Sequence, residues 1–266
     1  MLLSLCALPQ PLQAAQGKNN APRFRATAIV DLGSNLLAGE ASAQSVSSSL
    51  LLIPSYQISE TWSAGAIVAA LKNLSGWREF SLFDPSVRVM HAPLSLNPYL
   101  SVSPSFWAVI PVSERSLRSE TLVTAFRPVL RFSGNFSRLR GEFWKQVFVS
   151  HEVGLSKAFH VYRTSLGGAP NTSWRLSNWL NAGYSWSSKW SFSIDFIRNA
   201  GWSYEGQARH SFSLGETLSY QVTPACSLSV GHTNEGDVLR ANGLSSNIQI
   251  FDSVGSRFFT SVLYSF

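Results

Sequence analysis

From residue 256 to 266 the chain reads S-R-F-F-T-S-V-L-Y-S-F. Taken every second residue, Phe258, Thr260, Val262, Tyr264 and Phe266 fall on one side, and Arg257, Phe259, Ser261, Leu263 and Ser265 on the other. A period of two is that of a strand, and faces this different belong to a strand whose two sides meet different surroundings. An unpaired apolar edge at a terminus invites aggregation, so this strand must be paired. The same alternation recurs along nearly the whole chain, whereas nothing approaches the roughly 20 consecutive apolar residues of a membrane helix. The longest apolar stretches, 50–53 and 64–71, are stopped by Pro54 or flanked by Ser63. With 45% hydrophobic and only 14% charged residues, the composition sits oddly for a helical membrane protein and for an ordinary soluble domain alike. A closed barrel is then the way to span, because every backbone polar group in lipid must be paired within the protein. Nine Trp and seven Tyr fit the aromatic girdles of such a barrel, although a large soluble β-sandwich could also hold them.

The alternation predicts strands at 24–35, 47–58, 62–71, 87–94, 99–112, 121–133, 144–163, 174–186, 190–199, 209–222, 225–234 and 256–266. The fourth is the weakest, because Pro93 removes a ladder donor and Pro98 follows closely. Residues 144–163 are read as one long strand, which makes the total even. Short turns at 59–60, 187–189 and 223–225 alternate with longer links at 166–173, 200–208 and 235–255, the layout of a barrel with tight turns at one rim and loops at the other. The fold class is therefore all-β, a transmembrane antiparallel up-and-down β-barrel of about 12 strands, with both termini on the turn side. One residue conflicts with this register. Glu216 shares the outward face of Leu214, Leu218 and Tyr220, where an acid is unfavourable unless a bulge at Gly215 turns it.

The final stretch resembles the closing strand of Gram-negative outer-membrane β-barrels of the porin-like kind, which end in Phe with an aromatic two places earlier, here Phe266 and Tyr264. The resemblance implies the bacterial outer membrane, contact with its lipids and lipopolysaccharide, and reading of Tyr264 and Phe266 by the barrel-insertion machinery. Residues 1–15 resemble a secretory signal cleaved near Ala14 or Ala15, though without a positive start, which leaves 16–266 as the barrel. Cys226 is then the sole cysteine, with no partner for a disulfide and no metal-ligand spacing around it.

The chemistry that remains is basic. A net charge of +6 is dispersed through strands and turns and forms no stripe with an aromatic RNA-binding motif, so nucleic acid is not expected. Nor is an enzyme, a cofactor or a metal. His232 shares parity with Val230 and has no Ser at a readable spacing, and the other histidines are scattered singly. The inward faces carry Arg25, Arg88, Arg127, Arg131, Arg175 and Arg257 against Asp31, Glu152 and Asp195. Such charges either staple the interior together or bias the ions that enter a channel. About 12 strands lies between barrels of roughly eight, which side chains fill, and those of 16 or more, which hold water. Inward Ser, Gly, Thr and Asn leave space, while Trp107 and Trp179 intrude. The expectation is a narrow porin-like channel for small solutes with a lean toward anions. Its pore-lining candidates are Arg88, Arg127, Arg131, Arg257, Asp31 and Asp195. The alternative is a non-conducting structural or surface-interaction barrel with a filled lumen.

Overall fold

The computed structural model describes residues 23–35, 45–75, 78–136, 139, 141–239, 245–252 and 255–266; the expected leader, 1–15, lies outside them. The strand segments are β1 (Phe24–Ser34), β2 (Val46–Gln57), β3 (Trp62–Asn73), β4 (Phe80–Leu82), β5 (Ser86–His91), β6 (Leu94–Asn97) and β7 (Leu100–Val109). They continue as β8 (Leu122–Asn135), β9 (Val147–His160), β10 (Thr172–Tyr184), β11 (Trp190–Ser203), β12 (Ala208–Thr223), β13 (Cys226–Asp237) and β14 (Ser256–Ser265). A π-helical turn (Arg115–Ser119) and a short helix, α1 (Glu142–Gln146), complete the described elements. All pairings are antiparallel, and the sheet closes where β1 meets β14 from Thr27↔Ser265 to Ser34↔Phe258. β4 and β5 both pair β3, and β5 and β6 both pair β7, so these three share one place in the wall. Counted that way, the 14 segments form a closed barrel of 12 strands.

The count is the expected one, with local corrections. The fourth strand is interrupted at Pro85 as well as Pro93, each lacking the N–H a ladder needs. The segment expected at 144–163 is a single strand, but it starts at Val147, after α1. The long link expected at 200–208 is absent: β11 keeps its alternation to Ser203, β12 begins at Ala208, and a tight turn joins them. Gly206 makes that turn feasible at φ +81°, a left-handed conformation glycine adopts without penalty.

The barrel is apolar outside and polar within, the reverse of a soluble domain. Val30, Leu52, Phe106, Ile194 and Val230 are exposed on the outer face, while Ser47, Ser49, Ser177, Asn181, Ser219 and Ser227 are buried on the inner one. Aromatic side chains gather in two bands. At the turn rim Trp186 stacks on Trp190 at 6.2 Å, Trp190 meets Tyr220 at 4.7 Å, and Tyr264 meets Phe266 at 4.7 Å. Toward the loop rim, Lys157 is enclosed by Trp174, Tyr204 and Phe159, its ammonium 4.7, 5.2 and 5.8 Å from their rings. On β11, Trp190 and Trp202 belong to opposite bands. Their separation along a strand tilted by about 40° is roughly 30 Å in height, which matches an apolar band about 25 Å tall between two girdles.

Glu216 keeps its outward direction, since the ladder runs unbroken through Leu214↔Asn234, Gly215↔Thr233 and Glu216↔His232. What resolves the conflict is a partner. His232 Nδ1 lies 2.9 Å from Glu216 Oε2, and its ring packs between Phe258, at 4.8 Å, and Phe251, at 5.8 Å. One turn of the pleat further, Asn234 donates to the carbonyl of Gln249 at 2.7 Å. The described part of the last link thus lies against the outer wall.

Candidate channel lumen

Three of the expected arginines converge on one inner wall. The register places Arg88 opposite Trp107 and Trp107 opposite Arg127, with Arg131 opposite Glu152. The indole of Trp107 takes the guanidinium carbons of Arg88 and Arg127 at 5.3 and 5.5 Å, and Arg131 lies 5.5 Å from the ring of Trp179. Glu152 is buried between two of them, 3.3 Å from Arg127 and 3.2 Å from Arg131. Three guanidinium groups against one carboxylate leave this wall positive. Gly154 lets Arg127 lie flat, because a Cβ there would stand 2.5 Å from its Nε.

The other candidates occupy separate places. Asp31 accepts hydrogen bonds from the hydroxyls of Ser49 and Ser261 at 3.0 and 2.5 Å. Arg257 folds over Gly33 and donates to Ser47 at 3.0 Å, so the two charges beside the closing seam are held by serines. Asp195 is buried and accepts from Trp179 Nε1 at 2.8 Å and Asn181 Nδ2 at 3.0 Å. The six candidates all point inward, but they are not one cluster.

Between these walls runs a cavity of about 1310 Å³. Its lining extends from Lys189 and Pro224 at the turn rim to Pro170 and Arg209 at the loop rim, so the space traverses the barrel. Spread over a height of about 30 Å, that volume is a cross-section on the order of 40 Å². Among the described residues, the lining includes the basic side chains Arg115, Arg131, Lys145, Arg175, Lys189 and Arg209, against the acidic Asp31, Asp84 and Glu120. Arg115, Lys189 and Arg209 went unrecognised in the sequence because they lie in connections or at a strand end, where parity says nothing, and Lys145 because the strand expected from 144 begins only at Val147, after α1.

The mouth on the loop side is shaped by residues 110–121. Asp84 lies outside the strands and holds this loop: it accepts from the backbone N–H of Val112 and Ser113, both at 2.8 Å, and from the Ser116 hydroxyl. Burial opposes ionisation of Asp84, but these hydrogen bonds outweigh it and hold the carboxyl below its ordinary value. Asn171 then donates to the carbonyls of Glu120 and Tyr162 at 2.8 and 2.9 Å, tying two loops together.

No protein-family model matches the chain, and no curated protein matches its sequence. Its fold does have solved counterparts. It is similar to an outer-membrane channel from Pseudomonas putida F1, at 12% identity over 93% of this chain and 97% of that one, with a TM-score of 0.57. It is also similar to the NanC porin, at 12% identity over 89% and 98% of the two chains with a TM-score of 0.54. The KdgM porin matches at 12% identity over 90% and 99%, with a TM-score of 0.52. What is shared at such identity is the fold, that of an outer-membrane barrel.

Proposed function

We propose that this chain is a narrow channel of a bacterial outer membrane that admits small solutes and favours anions. The observation that carries the reading is the traversing cavity, lined by six basic side chains against three acidic ones among the described residues. In a narrow space with low-dielectric walls such an imbalance lowers the cost of entry for an anion and raises it for a cation. Arg131 is the clearest contributor, because it lines the cavity directly while Arg88 and Arg127 stand behind it against Trp107. Glu152 tempers the field, so an anion is attracted without being trapped.

The test is a planar-bilayer recording of the purified barrel under a potassium chloride gradient. The native protein is expected to give small, anion-selective steps, and Arg131→Glu to shift the reversal potential toward cations. Absence of current from both proteins would sink the channel reading. It would favour the filled barrel, in which the Arg127 and Arg131 pairs with Glu152 serve only as staples.

A further inference from the structure

The outer wall over β9, β10 and β11 exposes Leu155, Leu180, Phe192 and Ile194, as contact with lipid requires. Three polar side chains interrupt it. Asn178 and Arg198 stand directly opposite each other on β10 and β11, and His151 on β9 is opposite Leu180. Arg198 shares its face with Trp190, Phe192, Ile194 and Phe196, so its outward direction follows from the pleat. With Leu180 and Phe196, the three residues line a cleft of about 580 Å³.

Among the described residues, neither Arg198 nor Asn178 makes a side-chain hydrogen bond or ion pair. The acid on the outer face of the adjoining strand, Glu216, is engaged by His232. A guanidinium on such a face is unfavourable unless it reaches the headgroup level or meets an anion. Along β11, Arg198 lies four residues below Trp202, or about 10 Å beneath the loop-side aromatic band, a distance its extended side chain largely covers.

The cleft is also ordered like an amphiphile. Arg198 and Asn178 are on its loop side, and Phe196, Leu180 and His151 lie toward the turn rim. The geometry points to a binding site for a phosphorylated glycolipid of the outer leaflet, with lipid A chemistry. The Arg198 fork, extended toward the loop rim, takes the phosphate through two parallel N–H donors, while the shorter Asn178 amide, level with the Arg198 backbone, donates to a carbonyl below it. Ester or amide carbonyls lie one step deeper, level with His151, and acyl chains run down over Leu180 and Phe196. The site rests on the outer-membrane placement proposed above and not on conduction.

Native mass spectrometry of the detergent-solubilised full chain tests this, with diphosphoryl lipid A, phosphatidylcholine and inorganic phosphate as probes. One diphosphoryl lipid A is expected per barrel, in preference to phosphatidylcholine. The combination Arg198→Gln with Asn178→Leu should reduce its retention about tenfold, while Arg163→Gln, an exposed loop change, should leave it intact. Heat-modifiable mobility confirms that each variant is folded, and replacing a charge on the lipid face does not threaten assembly. Equal retention by native and doubly altered barrels overturns the site. So does retention of inorganic phosphate as strong as that of the lipid, which would make it a free-anion site. A dimer that forms without lipid and is lost in Arg198→Gln would assign the cleft to a second copy of the chain and overturn it too. Unchanged conductance with lost lipid A binding would leave the channel reading standing.

Discussion

Glu152 joins Arg127 to Arg131, and without its carboxylate Arg88, Arg127 and Arg131 face one another on a largely buried wall. Breaking a buried pair by removing one partner leaves charge uncompensated, so Glu152→Ala is expected to destabilise the barrel by about 3–5 kcal/mol. Urea-dependent unfolding in detergent micelles measures this, and a loss below about 1 kcal/mol would mean that water already screens the site. The same change should sharpen anion preference, the opposite of Arg131→Glu. That Arg127 and Arg131 share an inner face was legible, because residues four apart on a strand always do. That Glu152 would stand opposite Arg131 was not. Cross-strand register between β8 and β9 depends on the connection carrying α1, and a period of two leaves it open to slips. Glu216 shows the same limit: its outward parity was readable, whereas its partner His232 required the register of β12 with β13.

At the scale of elements, alternation found the strands and prolines marked the weak one, but ends and connections were misplaced wherever the pattern ran past the nominal boundary, as at β11. Residues 113–120 had no periodic signal, and the loop at 110–121 takes its position from hydrogen bonds to one distant aspartate. Because the carboxyl of Asp84 is held below the ordinary aspartate value of about 4, the ionised form belongs to the anchored loop. Its stabilisation is therefore complete above that ordinary value and is lost as pH falls through the lower folded one. Leu117 is exposed in this loop, so pepsin should nick the native chain there only at the acid end of its range. Asp84→Asn should be nicked throughout that range. Identical digestion of both proteins would show that the anchor contributes nothing. β14 carries a different expectation. It seals the barrel against both β1 and β13, and the Phe266 N–H donates to Ala26 at 2.8 Å. Deleting Phe266, or replacing Tyr264 and Phe266 with Asp, should leave expression intact but sharply reduce heat-modifiable barrel in the membrane fraction, and normal assembly would remove any role for the terminus as an insertion signal.

For the whole molecule, the number of strands was legible because it needs only a count of alternating segments, whereas the size of the internal cavity was not, because it depends on how inward side chains and loops share the space. An even count brings the start of β1 and the end of β14 to the same rim, together with the tight turns at 58–61, 185–189 and 224–225. If that rim is periplasmic, the loops at 110–121 and 161–171 face the cell exterior. Leu166 is a good reporter, being 75% exposed in the second of these loops, whereas Gly168 has φ +78° and would be strained by a side chain. In a background where Cys226, the free thiol among the described residues, and Cys6 are replaced by Ser, Leu166→Cys should react on intact cells with a maleimide carried on a polymer too large for the lumen. Ser188→Cys, in a turn at the other rim, should react only after the outer membrane is permeabilised. The reverse pattern would put the loop rim inside, invert the placement of the Arg198 cleft to the inner leaflet, and leave the loop-lined mouth of the cavity facing the periplasm.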